Sequence, residues 1–340
     1  MKKEWIEYLR ALSCLAVVVI HVTAPYYAQY GKVSTSDWWL ANLLNSSSRF
    51  AVPMFVMISG CLLLGRPVGT FEFYRKRASR LLPPFVFWSV VYVAYASLYE
   101  PSFVASFAYG MKLTLLSGQA YYHLWYLSMY ILLMLFFPFL NGYLLGIKPS
   151  QSEFIAMFAV FALLMLMSQA DSLLGAVKNV HLGWYAVFPW YFAYLFMGYV
   201  LDRHAASLRL GNLGVMASIA GLIAVGVCLN WIVADRFAAF GDHYVLINNG
   251  ILVLLITLAI FTFFKNNAHR FSRNRLVSLV ADASFGIYLI HPLLVSLMRK
   301  IPGYYENGAF YMPLSILVVF CGSCVVIALL RNFKIFRALC

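Results

Sequence analysis

Negative charge is what this chain has least of. Only 12 of its 340 residues are Asp or Glu, against 25 Lys and Arg, and charged residues make up 11% of the whole. Soluble domains carry about a quarter charged residues, so a water-soluble globule is excluded. The six cysteines, Cys14, Cys61, Cys228, Cys321, Cys324 and Cys340, fall mostly inside apolar runs. Cys321 and Cys324 have CxxC spacing but stand mid-helix without a redox-fold context, so they read as small packing residues. The seven histidines are scattered, and no metal-ligand cluster is expected. There is no Gly-rich phosphate loop and no dinucleotide fingerprint. There is no low-complexity stretch and no internal repeat. A transporter built on inverted halves would show paired broken helices, so that class loses weight. The first apolar run is too long and too rich in ionisable groups for a cleaved signal peptide, and no small-x-small site follows it.

What the chain has instead is hydrophobicity: 63% of residues are apolar and the mean hydropathy is +0.80. The expected fold is an all-α, polytopic transmembrane bundle, since a membrane β-barrel would show short alternating segments. About ten spans are expected, near 5–27, 40–65, 81–99, 121–146, 153–170, 185–201, 212–233, 244–264, 277–298 and 309–331. The apolar segment at 102–118 is short and interrupted by Lys112, and reads as an interfacial or re-entrant piece. The loops near 171–184 and 234–243 are too short to fold alone, so residues 1–340 form a single membrane domain. With both ends on one side, 17 of the 25 Lys and Arg fall on that side and 6 on the other, leaving Arg10 and Arg49 within spans. By the positive-inside rule both termini are cytoplasmic. The same clustering in short loops argues against nucleic acid as the partner of the basic charge.

The first span, WIEYLRALSCLAVVVIHVTAPYY, contains Glu7, Arg10 and His21. Ionisable groups in a span are costly and tend to face a cavity or a partner. Arg10 and His21 are eleven residues apart, which at ~100° per residue puts them on one face about 16 Å apart along the axis. An Arg snorkelling at the helix end and a His bonded in the bundle would give the same pattern. The second span carries Arg49 at nearly the depth of His21. Its guanidinium needs a partner, either carbonyls freed by Pro53 or an anionic or carbonyl-bearing ligand. The polar run Asn45, Ser46, Ser47 and Ser48 favours the ligand.

Arg75, Lys76, Arg77 and Arg80 form a dense basic cluster in the next loop, with Pro83 and Pro84 expected to stop the following helix from entering it. Topology or anionic lipid explains such a cluster, and so does a clamp for a phosphorylated ligand. At the outer end of the fourth span, YYHLWYLSMY places His123, Trp125 and Tyr126. An aromatic belt accounts for the Trp and Tyr but less readily for His123. The ninth span holds Asp282, which can neutralise a cytoplasmic arginine, then Ser284, Tyr288 and His291-Pro292, where the proline breaks the helix beside a cavity.

These pieces occur together in one family. Glu7 and Arg10 with the ten-residue gap to His21, SRFAVPMFVMISG (Ser48, Arg49, Pro53, Ser59, Gly60), RKRASRLLP (Arg77, Arg80, Pro83), HLWYL (His123, Leu124, Trp125) and SFGIYLIHP (Ser284, Tyr288, His291) follow in order. On these motifs the chain resembles the acyltransferase-3 family of integral-membrane acyltransferases. It is most similar to the short, stand-alone members that acetylate cell-surface polysaccharides such as enterobacterial common antigen. The resemblance implies a multi-pass protein of the bacterial cytoplasmic (inner) membrane. It implies acetyl-CoA or another short acyl-CoA as donor substrate, no permanently bound cofactor, and a hydroxyl of a polysaccharide or lipid-linked glycan as acceptor. Other partners are the bilayer and, left open, a second copy of the chain. Larger members append an esterase-like domain; without one, the membrane domain or a separate protein delivers the acyl group.

Under that resemblance His21 is the general base, since attack of a hydroxyl on a thioester needs one and His suits neutral pH. Arg49 stabilises the developing oxyanion. Arg10, oriented by Glu7 at i,i+3 spacing, holds the pantetheine or pyrophosphate. Arg77 and Arg80, with Arg75 and Lys76, bind the nucleotide phosphates. His123, Trp125, Ser59, Tyr288 and His291 support the site or the acceptor. A covalent acyl-His21 intermediate and direct transfer both remain open. The competing classes are a transporter of polysaccharide or its lipid intermediates, and an accessory subunit of a synthesis or export system.

Overall fold

A computed structural model describes residues 3–118, 120–178, 190–203, 211–236 and 246–340. Lys2 and Arg209 lie outside these residues, as do the starts of the expected sixth and eighth spans. Among the described residues the fold is all-helical. The helices are α1 (Glu4–Tyr27), α2 (Thr35–Ser48), α3 (Ala51–Leu63), α4 (Thr70–Ser97), α5 (Phe103–Ser117), α6 (Trp125–Ile147) and α7 (Gln151–Lys178). They continue with α8 (Tyr191–Arg203), α9 (Asn212–Arg236), α10 (Ile251–Asn266), α11 (Arg275–Met298), α12 (Gly308–Leu330) and the short α13 (Lys334–Arg337).

Among the described residues seven helical runs are long and apolar enough to cross a membrane: Glu4–Tyr27, Thr35–Leu63, Trp125–Ile147, Gln151–Leu174, Asn212–Arg236, Arg275–Met298 and Gly308–Leu330. They correspond to seven of the ten expected spans, and the chain is a multi-pass helical membrane protein. Of the other three, α8 and α10 are short in the described residues, and α4 begins eleven residues before the expected 81–99. That early start corrects the reading of the basic cluster. Arg75, Lys76, Arg77 and Arg80 lie on a helix, and Pro83 and Pro84 lie inside it. The carbonyls those prolines deprive of a donor belong to Ser79 and Arg80, both exposed positions. The loop expected at 171–184 is helical as far as Lys178.

The second span is two helices. α2 ends at Ser48, Arg49 is its C-cap, and α3 starts at Ala51. Pro53 sits in the first turn of α3, where a missing N–H costs little.

α1 is the hub. Its buried residues, among them Trp5, Leu9, Ser13, Val17, Val18, Val22 and Tyr26, point in every direction, as in a helix enclosed by others. It packs against α2, α3, α10, α11 and α12. One apolar cluster joins its first half to α3, α8 and α10 through Trp5, Leu9, Met54, Met57, Leu195 and Phe261. A second joins its later half to α4, α11 and α12 through Val18, Val22, Tyr92, Ile287 and Val319. α3 and α8 meet backbone to backbone: a Cβ at Gly60 would lie 1.8 Å from the Leu195 carbonyl oxygen, and one at Gly198 1.9 Å from that of Met57. Small residues at such crossings are how membrane helices approach closely.

Lys3 on one end pairs with Asp202 at 2.5 Å, Arg203 bonds the Gly65 carbonyl and Lys265 bonds that of Leu201. Glu7 accepts from Ser278 at the start of α11, and Arg331 donates to the main-chain carbonyl of Asp282. Both chain ends therefore lie at one end of the bundle. Asp282 meets Arg331 through its backbone, whereas the expected contact was through its carboxylate. With that end facing the cytoplasm, an impermeant thiol reagent added to intact cells should label Lys300→Cys and leave Lys76→Cys unmodified, in a background without native cysteines. Both side chains are exposed. Labelling at 76 would reverse the orientation.

Candidate active site

Proline chemistry shapes the first part of the site. Pro25, four residues after His21, deprives the His21 carbonyl of its helical donor. Arg299 supplies the missing bond, with Nη2 2.8 Å from that oxygen. Arg299 is the C-cap of α11, so the C-terminal ends of α1 and α11 are tied at the residue that carries the candidate base. Its Nε is buried with no partner among the described residues.

Three histidines then converge from three separate parts of the chain. The His21 and His291 rings are 5.1 Å apart, and those of His291 and His123 5.7 Å apart. His291 is 0% and His123 1% exposed, whereas His21 is half-buried. Tyr122, 42% exposed, lies 5.1 Å from the His21 ring. Tyr288 donates to the His123 carbonyl at 2.8 Å and packs on its ring at 5.3 Å. Both ring nitrogens of His123 and Nε2 of His291 are buried with no partner among the described residues. A buried orphan polar atom costs about 1–3 kcal/mol, so their concentration here marks a place built to receive polar groups.

Arg49 comes to the same level through Asn45. Asn45 donates to the Ile20 carbonyl at 3.2 Å and to Thr23 Oγ1 at 3.0 Å, and accepts from Arg49 Nε at 2.7 Å. One side chain thus ties α2 to α1 at the residues either side of His21 and holds the Arg49 guanidinium by its Nε. Arg299, bonded to the His21 carbonyl, and Arg49, held by Asn45, are thus cations placed near His21. The rest of the polar run does other work. Ser46 bonds Asn42 and Asn230, Asn42 reaches the Val227 carbonyl, and Ser47 bonds the Leu44 carbonyl. These contacts hold α2 to α9 and back-bond the helix, so among the described contacts Ser46 and Ser47 serve the packing of α2, and Asn45 serves the site.

Arg10 lies deeper along α1, its Nη2 3.5 Å from Ser284 Oγ on α11. A run of tyrosine rings leads from Ser59 on α3 to Tyr288 beside the histidines. Ser59 shares a 2.9 Å hydrogen bond with Tyr130, whose ring stacks on Tyr126 at 5.9 Å, and Tyr126 meets Tyr288 at 5.5 Å. Trp125 is elsewhere: among the described residues its ring partners are Tyr126 and Tyr191, and it packs on none of the three clustered histidines. Arg75, Lys76 and Arg80 are exposed, and Lys76 pairs with Glu72 at 2.5 Å. Arg77 is half-buried over the Phe73 ring, with a buried Nε that has no partner among the described residues. No contact among the described residues joins this cluster to Arg10. Sequence reasoning missed Arg299 and Tyr122 as site residues. The signal for Arg299 is its place at the end of the helix that carries His291, but in the sequence its charge counts with an outer loop.

A family model described as an acyltransferase domain matches residues 3–331, nearly the whole chain. The chain belongs to the acyltransferase-3 family. Among similar curated proteins are the probable poly-beta-1,6-N-acetyl-D-glucosamine export proteins of Staphylococcus aureus strains MSSA476 and MRSA252. They are 23% and 24% identical, and each alignment covers 99% of this chain and 96% of the relative. These family relatives carry an export name, where the motifs pointed to O-acetyltransferases. No solved structure matches the chain.

Proposed function

We propose that this protein is a membrane O-acyltransferase of the bacterial inner membrane. In this reading it moves an acetyl or other short acyl group from cytoplasmic acyl-CoA to a hydroxyl of an extracytoplasmic polysaccharide. The observation that carries the reading is His21: half-buried, tied through its backbone to Arg299, packed on the buried His291 that in turn meets His123, with Arg49 held nearby by Asn45. Acyl transfer to a hydroxyl asks for that set, a base for the proton and a cation where negative charge develops on the carbonyl oxygen. His21 takes the proton, Arg49 faces the oxyanion, and Arg10, one turn from Glu7, holds the pantetheine arm. Arg77, with Arg75, Lys76 and Arg80 beside it, receives the phosphates. Its orphaned Nε is a donor that an anionic ligand satisfies.

The test is incubation of purified protein in nanodiscs with acetyl-CoA and a panel of oligosaccharides, β-1,6-linked N-acetylglucosamine oligomers included. Release of free CoA with a matching gain in glycan mass is expected. The name of the relatives favours a second reading, export of polysaccharide. It predicts no CoA release with any acceptor and passage of labelled oligosaccharide across proteoliposomes.

The donor site has its own expected result. Arg77→Ala should weaken acetyl-CoA binding by about 1.5–3 kcal/mol, as for a charge-assisted contact made by a half-buried group. Arg80→Ala should have a smaller effect because its side chain is exposed. Titration with acetyl-CoA and dephospho-CoA measures both; unchanged affinity in both variants would leave the cluster a topological role only.

A further inference from the structure

We infer that His291 is a positioning residue for His21: its Nε2 accepts the ring N–H of His21, fixes that ring's tautomer, and shares its proton during transfer. This rests on the acyl-transfer reading in one respect, that His21 is the base.

The tautomer of His291 is readable from its surroundings. Pro292 has no N–H, so the Tyr288 carbonyl lacks its helical donor. The His291 ring is within bonding reach of both the Ile287 and Tyr288 carbonyls, with Nδ1 3.1 Å from the Ile287 oxygen. A carbonyl only accepts, so Nδ1 is the protonated nitrogen. In the neutral ring Nε2 then carries the lone pair. That atom is fully buried and has no partner among the described residues. The His-Pro pair thus makes an acceptor with one available direction.

His21 is the ring placed to use it. Their centroids are 5.1 Å apart, the spacing of two imidazoles joined by an N–H···N bond of about 2.9 Å. A turn of the His21 ring about its outer side-chain torsion completes the bond. Among the described residues His123 has no ring contact with His21; the histidine it packs against is His291, at 5.7 Å. Occupying one His21 nitrogen as donor leaves the other as the lone pair for the acceptor hydroxyl, the arrangement a base needs. Proton transfer to His21 also adds positive charge beside Arg49 and Arg299. Two imidazoles spread that charge.

The step balances. The hydroxyl O–H breaks and its proton goes to His21 as the oxygen bonds the thioester carbonyl carbon. His21 passes its opposite proton to His291 Nε2. The C–S bond breaks, the proton returns through His21 to the departing thiolate, and the products are the ester and CoA thiol. Both rings end neutral.

Diethyl pyrocarbonate tests the pair without any glycan, because it is attacked by the ring lone pair of a neutral histidine. The rate of His21 modification is followed by peptide mass mapping in the full-length protein, with exposed His269 as internal reference. His291→Ala should slow His21 modification by up to about tenfold, the upper range for loss of one hydrogen bond, while His291→Gln, which keeps an acceptor oxygen, should restore most of it. His291→Met fills the space without an acceptor and replaces the alanine variant if that one does not fold. Equal His21 rates in wild type and in whichever of these variants folds, or no rescue by Gln, overturns the inference. Failure of acyl transfer itself reads out separately: wild type then releases no CoA with any acceptor, whatever the modification rates.

Discussion

His21→Ala should abolish acyl transfer while the protein stays folded and still binds acetyl-CoA. A hydroxyl attacks a thioester poorly unless its proton is removed as the bond forms, and losing a positioned base costs about 10²–10⁴ in rate. The fold should survive because the tie between α1 and α11 at this residue runs through the His21 carbonyl, not its ring. The alanine variant keeps that bond. The measurement is single-turnover CoA release beside melting temperature and acetyl-CoA affinity, with His123→Ala alongside. His123 is fully buried and its carbonyl is held by Tyr288, so its truncation should lower stability more than turnover. Near wild-type turnover per folded His21→Ala molecule would move the base to His123 or His291.

The second large effect is expected from Gly60→Ala and Gly198→Ala. In an ordinary helix interior, Gly to Ala stabilises by about 0.5–1 kcal/mol. Here the added carbon meets a backbone oxygen at 1.8 Å or 1.9 Å, and backbone cannot rotate away as a side chain can. α3 and α8 must separate by more than an ångström. Overpacking costs typically about 1–3 kcal/mol, occasionally more, and these sites belong at the top of that range or above it. The sign of the substitution therefore reverses, and both variants should lose folded yield and melting temperature. Gly142→Ala and Gly146→Ala on α6, where a Cβ meets nothing within 4 Å, are the controls and should be neutral or slightly stabilising. Because α3 carries Ser59 next to Gly60 and follows directly on Arg49, any folded remnant should also transfer more slowly. Equal stability of all four variants would mean the α3–α8 crossing is looser than the geometry implies.

The membrane class, the seven apolar runs and the shared face of Arg10 and His21 are legible in the amino-acid sequence, because each is a property of one segment. Composition decides whether a chain can live in water, and a 3.6-residue period decides which side chains share a helix face. The histidines, Arg49 and Arg10 can likewise be picked out singly, since ionisable groups in apolar runs are conspicuous. What the sequence does not show is which helix faces which. Arg299 bonds a carbonyl 278 positions away, and His21 meets His291 across two helices whose periodicities say nothing about each other. Asn45 serves the site while Ser46 and Ser47 beside it do not, a distinction made by α9 and α1 lying on different sides of α2. The basic cluster reads as a loop because prolines 83 and 84 look like helix stops, yet the helix runs through them where the carbonyls they deprive are exposed. Local pattern determined the elements and the candidates; the tertiary packing alone decided that three distant histidines and two arginines would share one site, because only burial between helices brings such groups together.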